Sequence, residues 1–142
     1  MRSVVLVGLQ FLLIAVLAWP RHAWTWAPLP IAFIGAAILL GAAALVVNRP
    51  GNFNIRPDPK TGGRLVRTGP YRYVRHPMYL AVLLGCLGLF LEDPAWWRAV
   101  ALVTLVIVLH LKADIEERAL QRLHPEYRVY AQRTARLVPF LW

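Results

Sequence analysis

Cysteine is nearly absent from this chain. The single thiol, Cys86, excludes an intrachain disulfide framework. It also leaves a cysteine-based zinc cluster without its other ligands. Acidic residues are scarce too, seven against sixteen Lys and Arg, for a net charge of +9. Charge of either sign is thin: 16% of residues are charged and 58% are apolar, where a globular domain has roughly 25% and 45–50%. A chain this poor in charge and rich in apolar side chains is neither disordered nor an ordinary soluble core. It suits a protein whose outer surface meets lipid. The length, 142 residues, allows one domain, and positions 1–142 are read as a single unit.

Four apolar stretches organise the sequence: Ser3–Trp19, Pro28–Val47, Met78–Leu91 and Ala95–Leu111. Crossing ~30 Å of hydrocarbon takes about 20 helical residues, with a range of roughly 17–25. The first, second and fourth reach or approach that length. The third has only 14 residues and needs Pro77 or earlier residues to extend it. The expected fold is all-α: an integral membrane bundle of about four transmembrane helices, a cytoplasmic loop and a C-terminal amphipathic helix. Ala37 with Gly41, and Ala81 with Gly85, are small residues four apart, suited to close helix approach in lipid. The first stretch has a second reading as a signal peptide cleaved near Ala18, but Pro20 fits that poorly and the run is long for such a segment.

Charge asymmetry orients the bundle. With four spans, fourteen of the sixteen basic residues fall on one side and only Arg21 and Arg98 on the other. The basic side, holding both termini, is then cytoplasmic. Once orientation accounts for the charge, a nucleic-acid partner loses its support. Trp19, Trp24, Trp26, Trp96 and Trp97 flank the opposite ends of the spans as an interfacial belt, whereas all five tyrosines lie on the basic side.

Polar sequence that could carry chemistry is confined to that side. The segment Asn48–His76 is long for a loop without periodicity. It carries the turn signals Gly62-Gly63 and Gly69-Pro70 and runs into Tyr71-Arg72-Tyr73-Val74-Arg75-His76-Pro77-Met78-Tyr79. Pro77 suits the first position of a helix and biases His76 to an extended conformation. Arg75 and His76 therefore sit beside a helix N-terminus, which favours an anionic group. A plain Arg/His cap at the lipid interface is the other reading.

The fourth helix is expected to continue from Ala95 to about Leu123, because no Gly or Pro interrupts it before Pro125. At 100° per residue, Leu105, Leu109, Ala113, Glu116, Leu120 and Leu123 form one stripe. That puts Glu116 on an apolar face with Lys112 within reach. His110, Asp114 and Glu117 form a separate polar stripe, whose simplest reading is a solvated face. A short helix near Pro125 follows, with Tyr127, Tyr130, Ala131 and Thr134 on one side and Arg128, Arg133 and Arg136 on the other. Such a helix could lie on the membrane or roof a cofactor.

Gly69-Pro70-Tyr71, Arg75-His76-Pro77-Met78-Tyr79, the Glu116-Glu117 pair one span later, Tyr127, Tyr130 and Pro139 together resemble the isoprenylcysteine carboxyl methyltransferase family, to which phospholipid N-methyltransferases are more distantly related. The resemblance covers about residues 48–140. It implies a membrane enzyme that uses S-adenosylmethionine at the cytoplasmic face on a lipophilic or small methyl acceptor. By that analogy Tyr71, His76, Tyr79, Glu116 and the stretch Arg64-Leu65-Val66 contact the cofactor. Arg75, Pro77 and Glu117 belong to the same cofactor-binding motifs. Glu116 and Lys112 are the candidate catalytic pair, Lys112 standing where the carboxyl methyltransferases carry a substrate-side Arg. A Lys there keeps the charge but loses bidentate carboxylate binding. The competing readings are an NADPH-dependent membrane reductase of the sterol type and a non-catalytic membrane protein of the same fold. Leu80-Ala81-Val82 after the Tyr disfavours the reductase. No metal site is expected.

Overall fold

The computed structural model describes residues 2–25, 27–48 and 64–139. Among these, every regular element is helical: α1 Arg2–Ala18, α2 Pro28–Val47, a short 3-10 helix Gly69–Arg72, α3 Pro77–Glu92, α4 Trp96–Leu123 and α5 Tyr127–Gln132. Proline opens both α2 and α3 at the position where its missing N–H costs no intrahelical bond. α4 runs 28 residues and stops at His124, which is extended ahead of Pro125.

α2 packs chiefly on α3, and α1 chiefly on α4. The α2–α3 seam is made by the small residues that the sequence singles out. A Cβ on Gly41 would lie 3.7 Å from the Ala81 methyl, and one on Gly85 would lie 3.5 Å from the Ala37 methyl. Gly88 is tighter still: a Cβ there would stand 2.9 Å from the Pro30 carbonyl oxygen. Leu13 and Leu17 of α1, Cys86 of α3, and Ala101, Leu105, Val108 and Leu109 of α4 form the core.

The four-span expectation is met only in part. α2, with 20 residues and a mean hydropathy of 2.5, is the one described helix that is long and apolar enough to cross a membrane by those criteria. α1 and α3 are apolar but shorter, and α4 carries charged residues over much of its length. α2 nonetheless buries only Pro30 and Ala44. Large apolar side chains also lie exposed along α1 (Phe11, Leu12), α2 (Ile38, Leu39, Val46) and α4 (Val100, Val103, Ile107).

Arg98, read from sequence as a charge on one face, is instead buried. It donates to the backbone carbonyls of Leu17, Leu89 (3.1 Å) and Asp93 (2.6 Å), and pairs with the Asp93 carboxylate at 2.6 Å. It thereby caps the C-terminal turns of α1 and α3, whose last carbonyls have no helical partner.

Candidate active site

The N-terminus of α3, the second half of α4 and the C-terminal segment meet at the opposite end of the bundle from Arg98. The approach to α3 depends on Gly69. Its φ of +58° is costly for a residue with a Cβ, and a Cβ there would stand 2.7 Å from the Val47 side chain. This turn delivers Tyr71 into a buried position. There its hydroxyl accepts from Asn48 Nδ2 at 3.2 Å, and its carbonyl accepts from the Tyr130 hydroxyl at 2.6 Å.

His76 is buried between two carboxylates. Its Nε2 is 3.0 Å from Glu117 Oε1 and its Nδ1 is 3.5 Å from Glu116 Oε2. Its ring stacks on Tyr79, with centroids 5.2 Å apart and the planes 4° from parallel. The Tyr79 hydroxyl donates to Glu116 Oε2 at 3.0 Å. Arg75 Nε donates to Glu117 Oε1 at 2.8 Å. Burial lowers the His76 pKa, but the bonds to Glu116 and Glu117 outweigh it and hold the imidazole above its ordinary value. Burial likewise raises the Glu117 carboxyl, yet His76 and Arg75 together bring it down to about 2. Carboxylates at both ring nitrogens suit an imidazolium that donates from each.

The arrangement corrects the helix phase expected for α4. Leu105, Leu109 and Ala113 are buried as the stripe requires, but the buried line then continues to Glu117 rather than to Glu116. The polar stripe is only partly solvated: Glu117 is buried, while the His110 and Asp114 side chains are about one-third exposed. Arg136 from the C-terminal segment covers it, binding Asp114, Glu117 Oε2 (3.3 Å) and the His110 ring (3.1 Å). Glu116 is the more open of the pair, its side chain one-third exposed against 11% for Glu117. Arg136 likewise does not join Arg128 and Arg133 on an outer face. α5 is only six residues long, and its Tyr127 and Tyr130 are packed inside.

Lys112 does not ion-pair with Glu116 as the four-residue spacing suggests. Buried on the α1 side, its ammonium binds Gln10 Oε1 and lies 5.2 Å from the centre of the Tyr79 ring. Gln10 was missed by the motif reading. The available signal was a lone amide inside an uncharged apolar run, where a polar side chain needs a partner.

Arg64, Leu65 and Val66 line a cleft of about 650 Å³ with Arg67, Thr68, His124 and Glu126. His76, Tyr79 and Glu116 do not line it. The structure thus gathers Tyr71, Arg75, His76, Tyr79, Glu116 and Glu117 at one site, sets Lys112 behind Tyr79, and leaves Arg64–Val66 on a neighbouring cleft. The expected loop turn at Gly62-Gly63 lies outside the described residues. Among the described residues no group of three or more His, Cys, Asp or Glu side chains is placed to hold a metal ion.

The family model for phospholipid methyltransferases matches residues 32–127. The chain belongs to the phospholipid methyltransferase family. These are integral membrane methyltransferases related to the isoprenylcysteine carboxyl methyltransferases, so the resemblance drawn from the sequence holds at the level of the family. The matched span contains the whole His76 cluster apart from its C-terminal contacts, and it excludes all of α1. Among curated proteins, the chain is 41% identical over 79 residues to the cobalt-zinc-cadmium resistance protein CzcN of Cupriavidus metallidurans, covering 54% of this chain and 36% of that protein. It is 38% identical over 79 residues to the nickel-cobalt-cadmium resistance protein NccN of Alcaligenes xylosoxydans xylosoxydans, covering 54% and 37%. The matched stretch is little more than a third of the length of these relatives.

Proposed function

We propose that this member of the family is an S-adenosylmethionine-dependent methyltransferase, embedded by about four spans, that acts on a lipophilic or small acceptor at the cytoplasmic face. The observation that carries the reading is the His76–Tyr79–Glu116 arrangement at the start of α3, within the family-matched residues. Its one partly open carboxylate, Glu116, sits beside a fully enclosed imidazole. The exposed apolar side chains of α1, α2 and α4 support burial in lipid, where such surface has no cost. The excess of basic residues at the His76 end supports its cytoplasmic orientation.

The residues fit the cofactor's chemistry. S-adenosylmethionine is cationic at its sulfonium and amino groups, and Glu116 offers a partly exposed carboxylate for such charge. The Tyr127 hydroxyl is buried with no hydrogen-bond partner among the described residues, a vacant donor at the same end. The cleft lined by Arg64–Thr68, His124 and Glu126 lies within the roughly 300–1,000 Å³ of small-molecule sites. When bound, the cofactor supplies an electrophilic methyl group. Tyr79 and His76 hold Glu116 in place, and Glu117 fixes His76, so the carboxylate is preorganised rather than recruited. In this reading Lys112, which binds Gln10 and lies 5.2 Å from the centre of the Tyr79 ring, serves the acceptor side. Methyl displacement needs mainly alignment of its reactants, which these fixed side chains provide.

Detergent-purified protein is expected to bind radiolabelled S-adenosylmethionine and not NADPH. Binding of NADPH alone would establish the reductase reading instead, and binding of neither would leave a non-catalytic membrane protein. Reporter fusions after Trp26 and Asp93 are expected to report outside the cytoplasm, and fusions after Gly63 and Trp142 inside it. An internal signal after Trp26 defeats the four-span topology.

A further inference from the structure

The family-matched residues end at 127, yet the chain beyond them is built into the His76 site. Residues 73–76 and 135–136 run side by side. Ala135 N donates to Tyr73 O at 3.0 Å, Arg75 N to Ala135 O at 2.8 Å, and His76 N to Arg136 O at 3.2 Å. The Arg75 guanidinium adds bonds to the carbonyls of Ala131 (2.9 Å) and Thr134. Arg136 then turns its side chain onto α4, where it is largely covered and donates to Asp114 and Glu117.

The Glu117 carboxylate is divided between these partners. Oε1 receives His76 and Arg75; Oε2 receives Arg136. Arg136 therefore holds His76 from two sides: its carbonyl takes the His76 amide, and its guanidinium orients the carboxylate that takes the His76 ring. We infer that Arg136 is a positioning residue for His76, so that the C-terminal segment forms a wall of the cofactor site and sets the charge environment of the imidazole. The effect on His76 stands on geometry alone; its consequence for cofactor affinity rests on the proposed function.

The groups around the imidazole give the direction of the effect. Glu116 and Glu117 face it from α4, Tyr79 stacks on it from α3, and Arg75 adjoins it in sequence. Arg136 stands behind Glu117, and Tyr127 of α5 lies within the field of Glu117. Removing the Arg136 charge leaves Glu117 less neutralised, which favours the imidazolium. Asp114 and His110, the other side chains that Arg136 touches, lie about one and two turns away from Glu117 along α4.

The test follows the His76 ring by nitrogen-15 NMR in detergent without cofactor, with its signal assigned from His76→Asn. In Arg136→Ala the His76 titration midpoint is expected to rise by about 0.5 pH unit or more. Arg136→Lys, which keeps the charge, is expected to return it toward the wild-type value. An unchanged midpoint in a folded Arg136→Ala protein overturns the inference. Should that variant not fold, Arg136→Gln takes its place with the same expectation. Loss of the fold in both uncharged variants would mark Arg136 as a structural tie only, and would also overturn it. In parallel, the affinity of Arg136→Ala for S-adenosylmethionine is expected to fall about tenfold. Wild-type protein that binds no S-adenosylmethionine but shows the midpoint change would defeat the proposed function and leave the role of Arg136 intact.

Discussion

The bundle has a cluster of ionised side chains at each end, and the two are built differently. At the Asp93 end, one carboxylate receives Arg21 (2.9 Å from Nε to Oδ2), His22 (3.0 Å) and Arg98 (2.6 Å). Arg21 and Arg98 hold the Asp93 carboxyl far below its usual range, with the Arg21 hydrogen bonds the leading cause. Arg98 Nη1 and Nη2 also donate to backbone carbonyls that close α1 and α3, while its Nε is buried without a partner among the described residues. The enclosed space there is only about 10 Å³, room for one water at most. At the His76 end, two adjacent carboxylates share one imidazole, Glu116 stays partly open, and the buried Tyr127 hydroxyl has no partner among the described residues. The first cluster is closed upon itself and ties helices together. The second leaves capacity for a ligand. A charge count does not separate them; the exposure of the carboxylate does, 8% for the Asp93 side chain against 33% for Glu116.

Breaking the closed cluster is expected to have the largest effect. Arg98→Leu removes a buried cation that serves three carbonyls and Asp93. It should lower stability by about 3 kcal/mol or more, read from thermal unfolding in detergent. S-adenosylmethionine affinity of the folded fraction should be unchanged. Wild-type melting would show that the Asp93 end does not hold the bundle.

The adjacent glutamates sharpen the comparison inside the His76 end. Glu117→Gln weakens charged hydrogen bonds to Arg75, His76 and Arg136, and should cost about 2 kcal/mol of stability. Glu116→Gln should leave stability within about 0.5 kcal/mol of wild type, as for other part-exposed positions. It should reduce cofactor binding or activity at least ~10-fold, equivalent to about 1.4 kcal/mol. Equal stability losses in both variants would erase the distinction between a supporting and a ligand-facing carboxylate.

The smallest effect is on pH dependence. Glu117 titrates in the folded protein at about 2 against an ordinary 4.5, so its contribution is full above about pH 4.5 and is lost as pH falls through about 2. His76 is raised above its ordinary 6.5, so its contribution is full below that value and fades as pH climbs through the raised one. The stability difference between wild type and Glu117→Gln should therefore peak near pH 5–6 and shrink by about 1 kcal/mol toward alkaline pH. A difference that grows steadily from pH 5 to 9 would contradict the His76–Glu117 pairing.

Much of the architecture was legible before the structure. Apolar runs set the bounds of α1, α2 and α3 to within a residue, and the lack of Gly or Pro before Pro125 carried α4 past its apolar run to Leu123. The small residues Ala37, Gly41, Ala81 and Gly85 identified the α2–α3 seam, since backbones approach closely only where side chains are absent. The Arg75-His76-Pro77 and Glu116-Glu117 motifs marked the site, and four of the five tyrosines do gather there: Tyr71, Tyr79, Tyr127 and Tyr130.

Only the tertiary structure decided which glutamate is enclosed, where Lys112 turns, and what Arg98 and Arg136 do. Periodicity gives the angle of a residue about its own helix, but burial depends on which neighbour covers that angle. Glu117 projects onto a polar stripe, yet Arg75, His76 and Arg136 come to it from 42, 41 and 19 residues away in sequence. Lys112 finds Gln10 across 102 residues rather than Glu116 across four, and Arg98 reaches Leu17 across 81. A buried charge goes to whichever partner the packing brings within hydrogen-bond distance, and chain order carries no record of that distance.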